Sequence, residues 1–180
     1  MSLLADLSPT LAVQVELFTS EHVAQGLLEV PRGQRVTDVL NNPHESIVEL
    51  TQVRLNRLLL PLPAPLSATT LRVTKSTILC AIPFNEPEPE TIRDRSSKFV
   101  PKQRYNVIAT LPGFEIHGNM HLSRGTKLRS ILDVISYAFV PITNPQIYYL
   151  YDPRRRFDTP VVIVNKPRIQ LFLTIEEGQR

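Results

Sequence analysis

The chain contains one cysteine, Cys80, and no tryptophan. A single thiol excludes an internal disulfide framework and favours an intracellular setting. Only six glycines are spread over 180 residues, which leaves no Gly-rich phosphate loop and no dinucleotide fingerprint. No apolar run approaches the ~20 residues of a membrane-spanning helix. The opening MSLLADLSPTLA has neither the basic start nor the long apolar stretch of a secretory signal. The expectation is a cytoplasmic protein without a membrane span.

Catalytic constellations are also missing. There is no G-x-S-x-G elbow, and the acidic residues are scattered rather than paired for acid–base work. His117 and His121 are four apart. On a strand that spacing separates them by about 13 Å, at about 3.3 Å per residue, too far to share one ion at Zn–N distances of about 2 Å. They therefore read as polar-face residues, and His22 and His44 stand alone in the sequence. Cys80 lies in an apolar run and reads as a small core residue rather than a nucleophile. The expectation is no enzyme, no metal and no cofactor.

Much else is present. The composition is 42% hydrophobic, enough for a packed core, and sixteen prolines demand many loops and strand ends. An internal repeat organises the chain. The segment from Val13 aligns with the segment from Tyr105, so that Gly26 falls on Gly118, Arg32-Gly33 on Arg124-Gly125, and Leu40 on Leu132. After one residue is dropped in a loop, Lys75 falls on Lys166 and Ile78 on Ile169. Four of the six glycines are paired in this way.

Each copy reads the same way. Val13, Val15 and Leu17 alternate with polar residues, as a half-buried strand does. A second strand follows, carrying Ala24, Gly26 and Leu28 on one face; its counterpart carries Ile116, Gly118 and Met120. The paired glycine predicts a bulge or sharp bend. Val36, Val39 and Leu40, and likewise Leu128, Ile131 and Leu132, have the spacing of a short helix. A third strand is expected at about 47–55 and 139–149, and a fourth at about 71–82 and 160–175, ended by Pro83 in the first copy.

The expected fold is mainly β: two tandem copies of a small bent antiparallel barrel, each β-β-α-β-β. The expected divisions are an N-terminal segment at 1–12, repeats at 13–83 and 105–175, a Pro-rich charged linker at 84–104 and a tail at 176–180. This order of strands, with a Gly-bearing second strand and a short polar turn (Thr74-Lys75-Ser76, Asn165-Lys166-Pro167) before a last apolar strand, resembles the SH3-like small barrels and within them the Sm-like family. Each unit is also similar to short bacterial proteins of unknown function. The Sm-like resemblance implies an RNA pocket. Asp38 and Asn41 are similar to its polar pair, whereas the second copy has Ser130 and Asp133, and the family's Arg-Gly turn is replaced by Lys75-Ser76 and Lys166-Pro167.

Two loops carry the functional expectation. The net charge is +3, and the excess lies in the second copy and the linker: eight basic residues stand against four acidic ones between Tyr105 and Ile175, but six against six between Val13 and Pro83. Arg154, Arg155 and Arg156 form a loop flanked by Tyr149 and Tyr151, with Lys166 and Arg168 nearby in sequence. Arginines bind phosphates and aromatic faces stack bases, so these seven residues are the candidate anion or nucleic-acid contact. The alternative is a solvated loop tip whose aromatics pack inward. The matching loop of the first copy, LLLPLPAPL, is apolar and uncharged. Its Leu58, Leu59, Leu60, Leu62 and Leu66 are the candidate protein interface if exposed, or core if buried. The leading expectation is a non-enzymatic interaction or scaffold protein, with a protein partner or self-association. Nucleic-acid binding is the alternative.

Overall fold

A computed structural model describes residues 9–60, 63–87, 102–123 and 131–175. The first half contains β1 (Thr10–Phe18), β2 (His22–Pro31), α1 (Val36–Asn41), β3 (Ile47–Arg57), β4 (Leu66–Thr74), a 3-10 turn at Lys75–Thr77, and β5 (Cys80–Phe84). The second half contains β6 (Lys102–Leu111), β7 (Phe114–Ser123), α2 (Ile131–Val134), β8 (Phe139–Tyr149), β9 (Val161–Asn165), a 3-10 turn at Lys166–Arg168, and β10 (Leu171–Ile175). The same succession of elements thus occurs twice. Leu62, the linker stretch 88–101, the second copy's Arg124-Gly125 turn and Leu128, and the tail at 176–180 lie outside the described residues.

All ten strands form one antiparallel sheet in the order β10-β6-β7-β8-β9-β5-β1-β2-β3-β4. The expectation of two separate barrels is corrected here. The sheet does not close, and it runs unbroken from one half into the other because β5 pairs with β9, Cys80 opposite Val164 and Ala81 opposite Ile163. Within each half the strand order is nevertheless identical: β5-β1-β2-β3-β4 and β10-β6-β7-β8-β9. The single fourth strand expected in each copy is two strands, broken at the 3-10 turn. Pro83 does not end its strand but sits inside β5. It is tolerated because β9 pairs only with Cys80 and Ala81, so the missing N–H of Pro83 costs no bond to β9.

The period of two in the sequence becomes burial. Val13, Val15 and Leu17 of β1 point into a core shared with Leu28, Val30, Leu50 and the α1 residues Val36 and Leu40. The helix is only six residues long, so this packing rather than helix propensity holds it. The second core gathers Val107, Ala109, Phe114, Ile116, Ile142 and Val162. The two cores interlock. Phe18, Leu58, Cys80 and Ile82 of the first half lie in the second core, while Phe139 and Ile163 of the second half lie in the first.

The paired glycines sit at bulges, as expected. Pairing of β2 with β3 shifts register between Gln25 and Leu27, and that of β7 with β8 between His117 and Asn119. Opposite each glycine the long strand carries an extra residue in the left-handed region, Gln52 at φ 52° and Asn144 at φ 48°. A Cβ on Gly26 would lie 2.9 Å from the Thr51 carbonyl oxygen; one on Gly118 would lie 3.0 Å from the Thr143 carbonyl oxygen and press on Ile142. Only glycine lets the two backbones approach this closely, and the bulge bends the sheet around its core.

Candidate functional site

The polar residues singled out in the sequence are largely used to build the fold. Lys166 is not a free cation at a loop. Its Nζ donates to the carbonyls of Leu132 (3.1 Å) and Ile135 (2.5 Å) at the end of α2. Its counterpart Lys75 donates to Val39 (2.7 Å) and Asn42 (3.0 Å) at the end of α1. A cation at a helix C-terminus adds a charged donor to carbonyls that otherwise hold only long backbone bonds, such as Asn42 N–H to Val39 O at 3.3 Å, and complements the helix dipole. Burial holds the Lys75 ammonium below the usual lysine range, with Glu45 opposing that shift.

The pair similar to the Sm-like pocket is also occupied. Asp38 accepts from the Arg35 amide at the start of α1 (2.8 Å). Asn41 clamps the other half: its Oδ1 accepts from the Phe139 amide, and its Nδ2 donates to the Phe139 carbonyl, both at 2.8 Å. Asn165, almost fully buried, completes the joint. Its backbone N–H donates to Leu79 O (2.9 Å), and its side-chain amide donates to Ile78 O (2.7 Å) and Lys75 O (3.3 Å). Sequence reasoning did not find this joint. The signal available was that the copies differ here, Asn41 against Asp133 and Thr74 against Asn165, inside elements that otherwise match.

The arginine loop divides. Arg155 lies over the rings of Tyr149 (5.8 Å) and Phe157 (5.7 Å). Tyr149 is buried in the second core, so its face is not offered to a base, and its hydroxyl has no hydrogen-bond partner among the described residues. Burial raises its phenol above the usual tyrosine range, partly offset by Arg155. Arg155 and Arg156 line a recess of about 320 Å³ against Glu16, Ile82 and Phe84 of the first half. Arg154 is exposed; its backbone N–H donates to the Asp152 carboxylate (3.2 Å) and its Nε does so as well (3.3 Å), and these bonds hold the Asp152 carboxyl below its ordinary range. Tyr151 and Arg168 are exposed.

The apolar loop also divides. Leu58 is buried in the second core, with its amide bonded to Glu21 O (2.8 Å). Leu59, Leu60 and Leu66 are exposed, and Leu60 holds φ 52°, a backbone region that a leucine occupies only at a cost. A mostly apolar cleft of about 770 Å³ opens beside the joint, lined by Leu40, Pro43, Tyr137, Phe139, Pro167 and Arg168 among others.

No assembled chemistry emerges among the described residues. Cys80 is fully buried, and burial pushes its thiol far above the ordinary range, away from the thiolate a nucleophile needs. His117 bonds Glu115 (2.6 Å) and His121 bonds Thr143 (3.0 Å), so the two histidines have separate partners. Among the described residues no three His, Cys, Asp or Glu side chains are grouped to hold a metal, and no helix is long and apolar enough to cross a membrane. Comparison with family models, curated proteins and solved structures finds no match for this chain.

Proposed function

We propose that this chain is a non-enzymatic interaction and assembly protein, built from two duplicated small β units of the SH3-like or Sm-like kind that share one sheet. The observation that carries this reading is the division of labour among side chains. Lys75, Lys166, Asn41 and Asn165 are spent on helix ends and on the joint. Large apolar residues, by contrast, are left exposed on the strands that end the sheet, Leu66 on β4 and Leu171, Leu173 and Ile175 on β10, and on the Leu59-Leu60 loop. Apolar surface exposed on a sheet edge is costly in water and favours protein contact. Nucleic-acid binding stays as a second reading. It is favoured by the exposure of Arg154, Arg156 and Tyr151, and weakened by the burial of Tyr149 and the engagement of Arg155 and Lys166.

The test places a photo-activated cross-linking side chain at position 60, and separately at 173, in the full chain expressed in its own cells. Protein adducts at either position, to itself or to another chain, are expected. No protein adduct at either position would overturn the reading.

A further inference from the structure

The joint between the halves is a template against which the two ends of the sheet can be compared. The halves match residue for residue, at a step of 92 through the first three strands (His22 to Phe114, Ile47 to Phe139) and 91 after the loop (Lys75 to Lys166, Cys80 to Leu171). Among the first-half residues that face the second half's core, which also include Phe18, Val23 and Leu79, are Leu58, Cys80, Ile82 and Phe84. The counterparts of these last four are Leu150, Leu171, Leu173 and Ile175, all exposed: Cys80 is 1% exposed and Leu171 63%, Leu58 4% and Leu150 55%. At these four positions the chemistry is kept, since all four counterparts are large and apolar, whereas Phe18, Val23 and Leu79, also in the second core, have the polar counterparts Thr110, Glu115 and Gln170. Nothing among the described residues lies beyond β10 in the sheet.

The opposite end answers it. In the second half, Phe139 enters the first core, and Phe157 meets Phe18 edge-on at 5.4 Å. Their counterparts in the first half are Ile47 and Leu66, again apolar and exposed, on the side where β4 ends the sheet. So the β10 end carries part of the apolar surface of the β5 side of the joint, and the β4 end keeps that of Phe139 and Phe157, but the exposed Arg72, paired with Glu49, stands where Ile163 enters the first core.

We infer that the chain assembles head to tail, with β10 of one molecule pairing antiparallel with β4 of the next as β5 pairs with β9 within the chain. The internal register places Leu171 opposite Val73 of the next molecule, and Phe172 opposite its Arg72. The inference rests on the proposed function and deepens it by naming the partner as a second copy. Such an interface joins two different surfaces, so it propagates into a ring if the rotation closes and a filament if it does not. It is weaker than the internal joint. Asn165 is replaced by Thr74, which has one hydroxyl for two amide hydrogens, and Asn41 by Asp133, whose carboxylate cannot donate to a carbonyl. Assembly is therefore concentration-dependent.

Sedimentation velocity of the full chain across concentration tests this, with a β10-end variant (Leu171→Glu with Leu173→Glu) and a β4-end variant (Ile47→Glu with Leu66→Glu). The wild type should grow beyond dimer with concentration, and each variant alone should stay monomeric. An equimolar mixture of the two should form a dimer of one each, because each retains the end that the other has lost; that recovery also shows that both are folded. Asp133→Asn should tighten association about tenfold by restoring a two-way amide clamp. A wild type that stays monomeric, a symmetric dimer that goes no further, or a mixture that remains monomeric would overturn the inference. In the cross-linking experiment, adducts only to a different protein would overturn self-assembly and leave the proposed function standing. No adducts would overturn both.

Discussion

Lys75 and Lys166 show how a charge counted as a contact can be a structural part. Each reaches from a 3-10 turn to two carbonyls at the end of the short helix in its own half. Replacing Lys166 with Met keeps the aliphatic stem and removes the donors. The expected loss is about 1.5–3 kcal/mol of stability, the range for hydrogen bonds to a charged group. Urea denaturation measures it, and Arg168→Met on the same turn, whose side chain is exposed, should change stability little. Equal effects of the two substitutions would deny Lys166 its capping role. Sequence could not separate the roles, because a lysine in a polar turn looks the same whether it faces a phosphate or a helix end. The place of Tyr149 is hidden for a similar reason: an aromatic beside arginines reads as a stacking face until its burial is known.

Among the elements, the bulged strand pairs give the sheet its bend. Gly118 lies where β7 and β8 approach too closely for any side chain. Gly118→Ala should cost about 2 kcal/mol, as overpacked cores do. The same change at Gly26 should cost less, since its tightest neighbours are less close. A chevron or equilibrium urea series on both variants checks the order, and a neutral Gly118→Ala would show that the backbones can part. This feature was legible in sequence, because a glycine that recurs inside a period-two pattern weakens the strand unless a bulge or a close backbone needs it. So were β1, β2, β3 and their counterparts, whose alternation maps directly onto burial. The 3-10 turns were not, because the apolar run from Ile78 to Ile82 continues across the break and hides where β5 begins. Nor was the pairing of β5 with β9. It joins residues more than 80 apart, and local periodicity carries no record of which strand lies beyond an edge.

At the scale of the whole molecule, the continuous sheet replaces two barrels with one joint, between β5 and β9. Both ends keep part of the apolar surface of that joint, Leu171 and Leu173 at one and Ile47 and Leu66 at the other, while Arg72 and Gln170 replace Ile163 and Leu79. The run at Leu58–Leu66 offered two readings in sequence, interface if exposed and core if buried, and the chain divides between them. What it could not show was that Leu58 finds its partner within the chain while Leu66 does not. That distinction depends on which copy stands at an end.

The most direct test of head-to-tail assembly fixes its register by chemistry. In a Cys80→Ala background, Leu171→Cys and Val73→Cys are introduced together in one chain, and the protein is oxidised under mild conditions. Cα atoms of directly opposed antiparallel residues stand about 4.5–5.5 Å apart, within disulfide reach. Head-to-tail pairing predicts a ladder of covalent multimers from the double variant, and monomers from either single variant. A ladder absent from the double variant, or a covalent dimer from Leu171→Cys alone, would contradict it.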